Sequence, residues 1–324
     1  MDDLISKAAE ETSWSKEELE TRWNGSPELI AEDLFRIRSL DTGEIQPLQL
    51  FRPYQPQLLN AYFYGDEKII NVYKGRRIGV SFIFCLAMAI DGLVNPDTFY
   101  PIVSDTQGQA NNRIADISTL FKQARIDIDL VKDNQTELEL PNGSTFEAFS
   151  GEPDSSRGDD PAKTVFVDEM AFLEDQEGTM RAFMPFIALG KLGKMLQVST
   201  PNTANDLFLK NHKRGSPGGK NGIISIKQPT FKRPDGIDIH KSLFEQDVEP
   251  VRPDLSIQTV ETERLQDPKG FAQEYLCRPL SEEYQFFTPS TIEEAIQRGS
   301  VEDYPNGVGW VPPHDSVVVL GVDI

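Results

Sequence analysis

The order of apolar and polar positions divides this chain into alternating elements. KIINVY (68–73), TFYPIVS (98–104), KTVFVDE (163–169) and KMLQVST (194–200) are apolar runs of strand length. Between them, SFIFCLAMAI (81–90), QGQANNRIADISTLFKQA (107–124) and GTMRAFMPFIALG (178–190) have helical length and spacing. Apolar strands separated by helices predict an α/β fold, a mainly parallel sheet flanked by helices on both faces. PNG between TELEL and STFEAF predicts a β-hairpin at 136–149. Upstream, residues 1–45 read as a helical N-terminal segment. SKEELETRW (15–23) and SPELIAEDLFRI (26–37) each begin with a Ser N-cap and carry acids in the first turn. Within 46–66, RPYQPQLLNAYFY reads as a turn followed by a short amphipathic helix. Residues 201–236, rich in Gly, Pro and Lys, predict a mobile basic loop. LSIQTVETERLQ and KGFAQEYLCRPL predict helices. Residues 281–315 read as a linker containing one helix, TIEEAIQRG, and SVVVLGVDI is an apolar strand. No internal repeat is visible.

Composition narrows the class. Of 324 residues, 38% are hydrophobic and 26% charged, which allows a sizeable core and excludes global disorder. No apolar run approaches the roughly 18 residues of a membrane span, and the acidic start MDDLISKAAEETSW lacks a secretory core. Cys85 and Cys277 both fall in apolar helical patterns, which predicts buried thiols rather than a disulfide. A soluble intracellular protein is expected. The net charge of −20 repels nucleic acid on average, so any DNA contact needs a local basic patch. With three histidines and two cysteines there is no zinc cluster.

Five stretches carry candidate chemistry. NVYKGRRIGVSF (71–82) has the flanks of a phosphate-binding loop, but Lys74 stands where G-x-x-x-x-G-K-[ST] has its first Gly, and Val80 where it has Lys. Gly79 can supply the positive φ of the fold-back, and Ser81 a hydroxyl for Mg²⁺. Lys74, entering from the strand, could lay its stem back across the loop, with Arg76 and Arg77 adding charge. By itself the stretch equally describes a solvated basic turn. TVFVDE (164–169) ends a strand in Asp168, which can hold a Mg²⁺ water shell, and Glu169, which can deprotonate an attacking water. Alone it is also an ordinary strand with an acidic exit; following the loop in this order, the two reinforce each other. Ser199, Thr200 and Pro201 end another strand, either as a γ-phosphate-sensing coupling element or as a simple turn. SGEPDSSRGDDP (150–161) holds Arg157, either an arginine finger or a salt-bridged surface residue. Tyr54 and Gln55 could stack on and read an adenine, or belong to a turn and core helix.

Together these pieces resemble the ATPase domain of the large terminase subunit, the DNA-packaging motor of tailed phages and related archaeal viruses. KGRRIGVS (74–81) is similar to that family's K-x-R-Q-x-G-h-S loop, with Arg77 in place of Gln. Also matching are Tyr54–Gln55, Arg157–Gly158, VFVDEMAF (165–172), STPN (199–202) and FAQEYLCRPL (271–280). The resemblance covers roughly residues 46–285 and implies an ASCE/RecA-like P-loop NTPase there. Lys74, Gly75, Arg76, Arg77, Gly79, Val80 and Ser81 would form the ATP loop, with Tyr54 and Gln55 at the base. Ser81 and Asp168 would hold Mg²⁺, Glu169 would activate water, and Arg157 would act on a neighbouring subunit's ATP. The implied partners are double-stranded DNA, the portal protein of the procapsid, the small terminase subunit and a pentameric ring of copies, in the host cytoplasm.

The family also carries an RNase H-like nuclease whose first strand ends in G-h-D. LGVDI (320–324) resembles it, which makes 316–324 the first strand of that domain after a 286–315 linker, and Asp323 a metal ligand in an incomplete site. This chain alone is therefore expected not to cleave DNA. A helicase-like ATPase and a catalytically inactive nucleotide-binding scaffold, the latter suggested by Val80, are the alternatives.

Overall fold

The computed structural model describes residues 1–39, 42–152, 161–188, 193–203, 205–215 and 222–279. Its centre is an eight-stranded sheet in the order β10-β3-β9-β8-β4-β7-β6-β5. The strands are β3 (Ile69–Lys74), β4 (Phe99–Ser104), β5 (Lys132–Asp133), β6 (Glu137–Glu139), β7 (Thr145–Ser150), β8 (Thr164–Asp168), β9 (Lys194–Ser199) and β10 (Ile223–Gln228). From β10 to β7 every pairing is parallel, and β6 and β5 close the edge antiparallel. β6 and β7 are the two arms of the hairpin expected at 136–149, with Gly143 at φ 84° in its turn.

Helices cover both faces, as continuous apolar strands require. On one side α4 (Tyr54–Tyr64), α5 (Val80–Val94) and α6 (Gln107–Lys122) share an apolar cluster with the N-terminal helices α1 (Asp2–Glu11), α2 (Lys16–Trp23) and α3 (Pro27–Leu34). α5 is buried along most of its length, which explains why SFIFCLAMAI is apolar all round. On the other side α7 (Gln176–Ala188) and α8 (Leu207–Gly215) cover Val165, Val167 and Met195. A third cluster of Phe231, Leu243, Val260, Phe271, Tyr275 and Leu276 packs under α9 (Ile257–Gln266) and α10 (Pro268–Leu276). Cys85 and Cys277 are free and buried, as expected.

Two stretches differ from the sequence reading. Residues 1–45 are not wholly helical: α3 ends at Leu34, and β1 (Arg36–Arg38) pairs antiparallel with β2 (Ile45–Pro47). Phe35 is extended at φ −100° and ψ 153°, and Gly43 at φ 70° makes the turn. The apolar period of α3 runs on into Phe35 and Ile37, so periodicity alone hides the break. Of the two Ser N-caps, Ser15 forms a full capping box with Glu18, whereas the Ser26 side chain caps nothing. Within 201–236, the expected basic loop contains α8 and the edge strand β10, whose IISIK is ordered by its parallel pairing with β3. Arg157, Gly158, Lys220 of the basic 201–236 stretch, the 286–315 linker and the 316–324 strand with Asp323 lie outside the described residues.

Candidate active site

The sheet's register gathers the candidate residues at its carboxyl edge, where ligands bind in open parallel sheets. β9 lies between β3 and β8, pairing Tyr73 with Ser199 and Asp168 with Val198. Lys74, Ser199 and Asp168 therefore end three adjacent strands. The Lys74 ammonium reaches back to Glu169, Nζ to Oε1 at 2.8 Å, with the Lys74 side chain 9% exposed and that of Glu169 32%. Ser199 Oγ donates to the other carboxylate oxygen, Oε2, at 3.3 Å. Glu169 sits at φ 53°, a left-handed conformation that a non-glycine residue holds only at a cost of order 1–3 kcal/mol. That backbone turns its carboxylate off the strand end toward Lys74.

Residues 75–79 form the loop between β3 and α5. Gly79 caps α5 at φ 75°, so the fold-back expected of it is present, and Arg77 shares the left-handed region at φ 60°. Gly75 is held by closeness: a Cβ there would lie 2.4 Å from Thr230 Oγ1 and 2.5 Å from Thr230 N. Val80 is buried at the start of α5, an apolar filler where other phosphate loops carry lysine. One residue on, Ser81 Oγ donates to Asp168 Oδ1 at 2.8 Å.

Asp168 is deeply enclosed. Its second oxygen faces Arg113 of α6, Oδ2 to Nε at 3.6 Å, and Ser104 Oγ donates to its backbone carbonyl at 3.3 Å. Burial, then the neighbouring Glu169 charge, raise its carboxyl above the ordinary aspartate range; Lys74, Arg113 and Ser81 oppose the rise. Two carboxylates and two cations thus share one partly enclosed corner. Ser81 and Asp168 offer hard oxygen donors side by side, which suits Mg²⁺, an ion that takes one or two protein ligands and completes its shell with water and phosphate. Among the described residues no trio of His, Cys, Asp or Glu forms a metal cage.

Tyr54 and Gln55 lie beneath the loop rather than beside it. Tyr54, 3% exposed, donates its hydroxyl to the Ile78 carbonyl at 2.7 Å. Gln55, 4% exposed, accepts from the Phe51 amide and also points its amide nitrogen at Ile78 O. Both side chains prop the loop from below, and neither offers an open face for a base. Above the loop, a cavity of about 460 Å³ is lined by Arg77, Gly79, Arg252, Ser256, Thr259 and Tyr275, among others. Arg76, counted with the loop, turns outward: its backbone N–H donates to the Glu274 carbonyl of α10 at 2.7 Å. Sequence reasoning missed Arg113, Ser104, Gln273 and Glu274. FAQEYLCRPL was the only local signal for the last two, and a lone Arg in an amphipathic helix was none for Arg113.

Among solved structures, a variant of the large terminase ATPase domain of Thermus phage P74-26 resembles this chain at 17% identity and TM-score 0.54, covering 69% of this chain and 93% of that one. The large terminase of bacteriophage HK97 resembles it at 14% identity and TM-score 0.59, covering 78% of this chain and 56% of that one. A large terminase from a second thermophilic bacteriophage, solved with ADP, resembles it at 13% identity and TM-score 0.54, with 71% and 53% covered. The chain thus spans about half the length of the latter two terminase chains. These likenesses establish a shared fold, the mainly parallel sheet flanked by helices expected from the strand order. A sequence-family match carries the assignment further, running from the phosphate-loop strand through α10 and beyond, over residues 71–294: the chain belongs to the family described as terminase large subunit, T4likevirus-type, N-terminal.

Proposed function

We propose that this chain hydrolyses ATP to drive double-stranded viral DNA into a procapsid, with the corner formed by Lys74, Ser81, Asp168 and Glu169 as its catalytic centre. The observation that supports this most directly is Lys74 reaching Glu169 at 2.8 Å while Ser81 reaches Asp168 at 2.8 Å. The lysine has moved to the other end of the loop, yet its ammonium arrives at the carboxyl edge of the sheet. The loop amides and Lys74 bind the β- and γ-phosphate oxygens, which compete with Glu169 for the ammonium. Once released, Glu169 accepts a proton from the water that attacks the γ-phosphorus, as the bond to the β-phosphate breaks and ADP leaves. Ser199 steadies the Glu169 carboxylate during that step. Ser81 and Asp168 would hold Mg²⁺, which when bound neutralises charge on the phosphate oxygens.

The cavity above the loop gives the nucleoside half a place, and ADP bound to one similar terminase supports that reading. Arg157 would complete the site of a neighbouring copy in a pentameric ring. The further partners of this reading are the portal protein of the procapsid and the small terminase subunit, in the host cytoplasm. Among the described residues no helix is long and apolar enough to cross a membrane. The test is Lys74→Ala: ATP turnover should fall at least about 10²-fold, the scale of losing one preorganised charge donor, with the melting transition retained. Near-native turnover would sink the assignment.

A further inference from the structure

Two neighbouring residues of α10 touch both halves of the proposed ATP site. Glu274 takes the Arg76 amide on its backbone carbonyl at 2.7 Å, and its carboxylate faces the Arg76 guanidinium at 3.4 Å. Burial raises that carboxylate's affinity for a proton, and Arg76 and then Thr200 oppose the rise. Next to it, Gln273 is buried and donates Nε2 to the Pro201 carbonyl at 2.6 Å. Thr230 reinforces the loop side: its hydroxyl donates to Arg76 O at 2.9 Å, and its amide donates to Tyr275 O at 3.0 Å. On the other side, Asn202 Nδ2 donates to Ala171 O at 3.1 Å, just beyond the Asp168–Glu169 strand end. A cavity of about 490 Å³ lined by Arg76, Phe172, Asn202, Gln273 and Glu274 leaves this strut room to shift.

We infer that α10 is the mechanical link between the phosphate loop and the Ser199–Thr200–Pro201 turn, with Gln273 and Glu274 as its positioning residues. The link rests on the ATPase reading above and adds a route to it. Arg76 is half-exposed and sits at a distance longer than a good charged hydrogen bond. Phosphate at the loop would draw the guanidinium from the Glu274 carboxylate and release that residue of α10 to shift. Gln273 moves with it as the next residue of the same rigid helix and carries Pro201. Because Ser199 contacts Glu169, the turn's position sets the orientation of the catalytic carboxylate. In the other direction, chemistry at Glu169 is felt by the third apolar cluster through α10.

The experiment uses the full chain with Gln273→Leu and Gln273→Glu. The first removes the donor, and the second replaces it by an acceptor of the same shape. Calorimetry with ADP and ATPγS, steady-state ATP turnover, and amide exchange over residues 268–276 with and without ATPγS are measured. Binding should stay within about twofold of the parent, because the loop itself is untouched. The turnover number should fall about tenfold or more with KM little changed, and nucleotide-induced protection of 268–276 should disappear in both variants. Parent-like turnover with protection retained, or binding lost in proportion to turnover, overturns the link. A parent chain that binds neither nucleotide overturns the ATPase reading instead. If Gln273→Leu fails to melt cooperatively, Gln273→Glu alone decides.

Discussion

Replacing Gly75 by alanine tests whether the phosphate loop is held in place by close packing. The new Cβ would stand 2.4 Å from Thr230 Oγ1, 2.5 Å from Thr230 N and 3.1 Å from Pro229 C. Two of those atoms are backbone, so no side-chain rotation relieves the contact. Thr230 cannot retreat cheaply either. It is fully buried, its amide donates to Tyr275 O, and its carbonyl accepts from Val251 N. The loop must move instead, stretching Gly75 N to Gln228 O and Arg76 N to Glu274 O, both 2.7 Å. Overpacking of this kind costs about 1–3 kcal/mol. At roughly 2–4 °C per kcal/mol for a chain of this size class, the melting temperature should drop roughly 2–12 °C. Because those two bonds anchor the start of the 75–79 loop, ADP affinity should fall further than stability. Two glycines calibrate the result. Gly79→Ala meets only ordinary contacts but must hold φ 75°, a backbone strain of about 1–2 kcal/mol. Gly108→Ala in α6 meets nothing within 4 Å and should be neutral or slightly stabilising. Scanning calorimetry and ADP titration of all three decide the matter. A Gly75→Ala chain that melts and binds ADP like the parent refutes the reasoning.

Asp168 sets a pH signature. Its folded carboxyl is raised by burial, so the native state holds that proton more tightly than the unfolded chain, and this residue's contribution to stability falls as pH rises through the raised value. Asp168→Asn should therefore gain stability relative to the parent at neutral pH, with the gain shrinking at acidic pH, while turnover is lost; a difference that does not vary with pH contradicts the assignment. Arg157 can be placed by mixing Arg157→Ala with Glu169→Ala chains, where regained activity is the expected sign of action across subunits and a mixture as inactive as its parents argues against it. Lys210, Lys213 and Arg214 line an exposed basic face of α8 at i, i+3, i+4 spacing. If they contact DNA phosphates, neutralising all three should reduce the slope of log affinity against log salt by about 2–3; an unchanged slope removes this face from the DNA path.

The sequence by itself determined the strands, their helices and the chemistry each strand carries out to its end. Apolar runs of four to six residues report burial directly, and a Gly–Val–Ser turn after a strand, or Asp–Glu after one, names its candidate chemistry locally. Lys74 was legible for the same reason: its place at the loop's start needs only counting. Order in space was not local. The sequence has no term for β9 lying between β3 and β8, yet that register sets Ser199 beside Glu169 and lets Lys74 cross to it. The hairpin of β1 and β2 and the edge strand β10 depend on partners far along the chain, so their residues looked like helix end and loop. Tyr54 and Gln55 were read as adenine contacts or as part of a turn and core helix, and only packing sets both against the Ile78 carbonyl of the loop. Arg113, Gln273 and Glu274 carry no signature, because a polar residue on a helix acquires a role only from what the fold brings within about 3–4 Å of it.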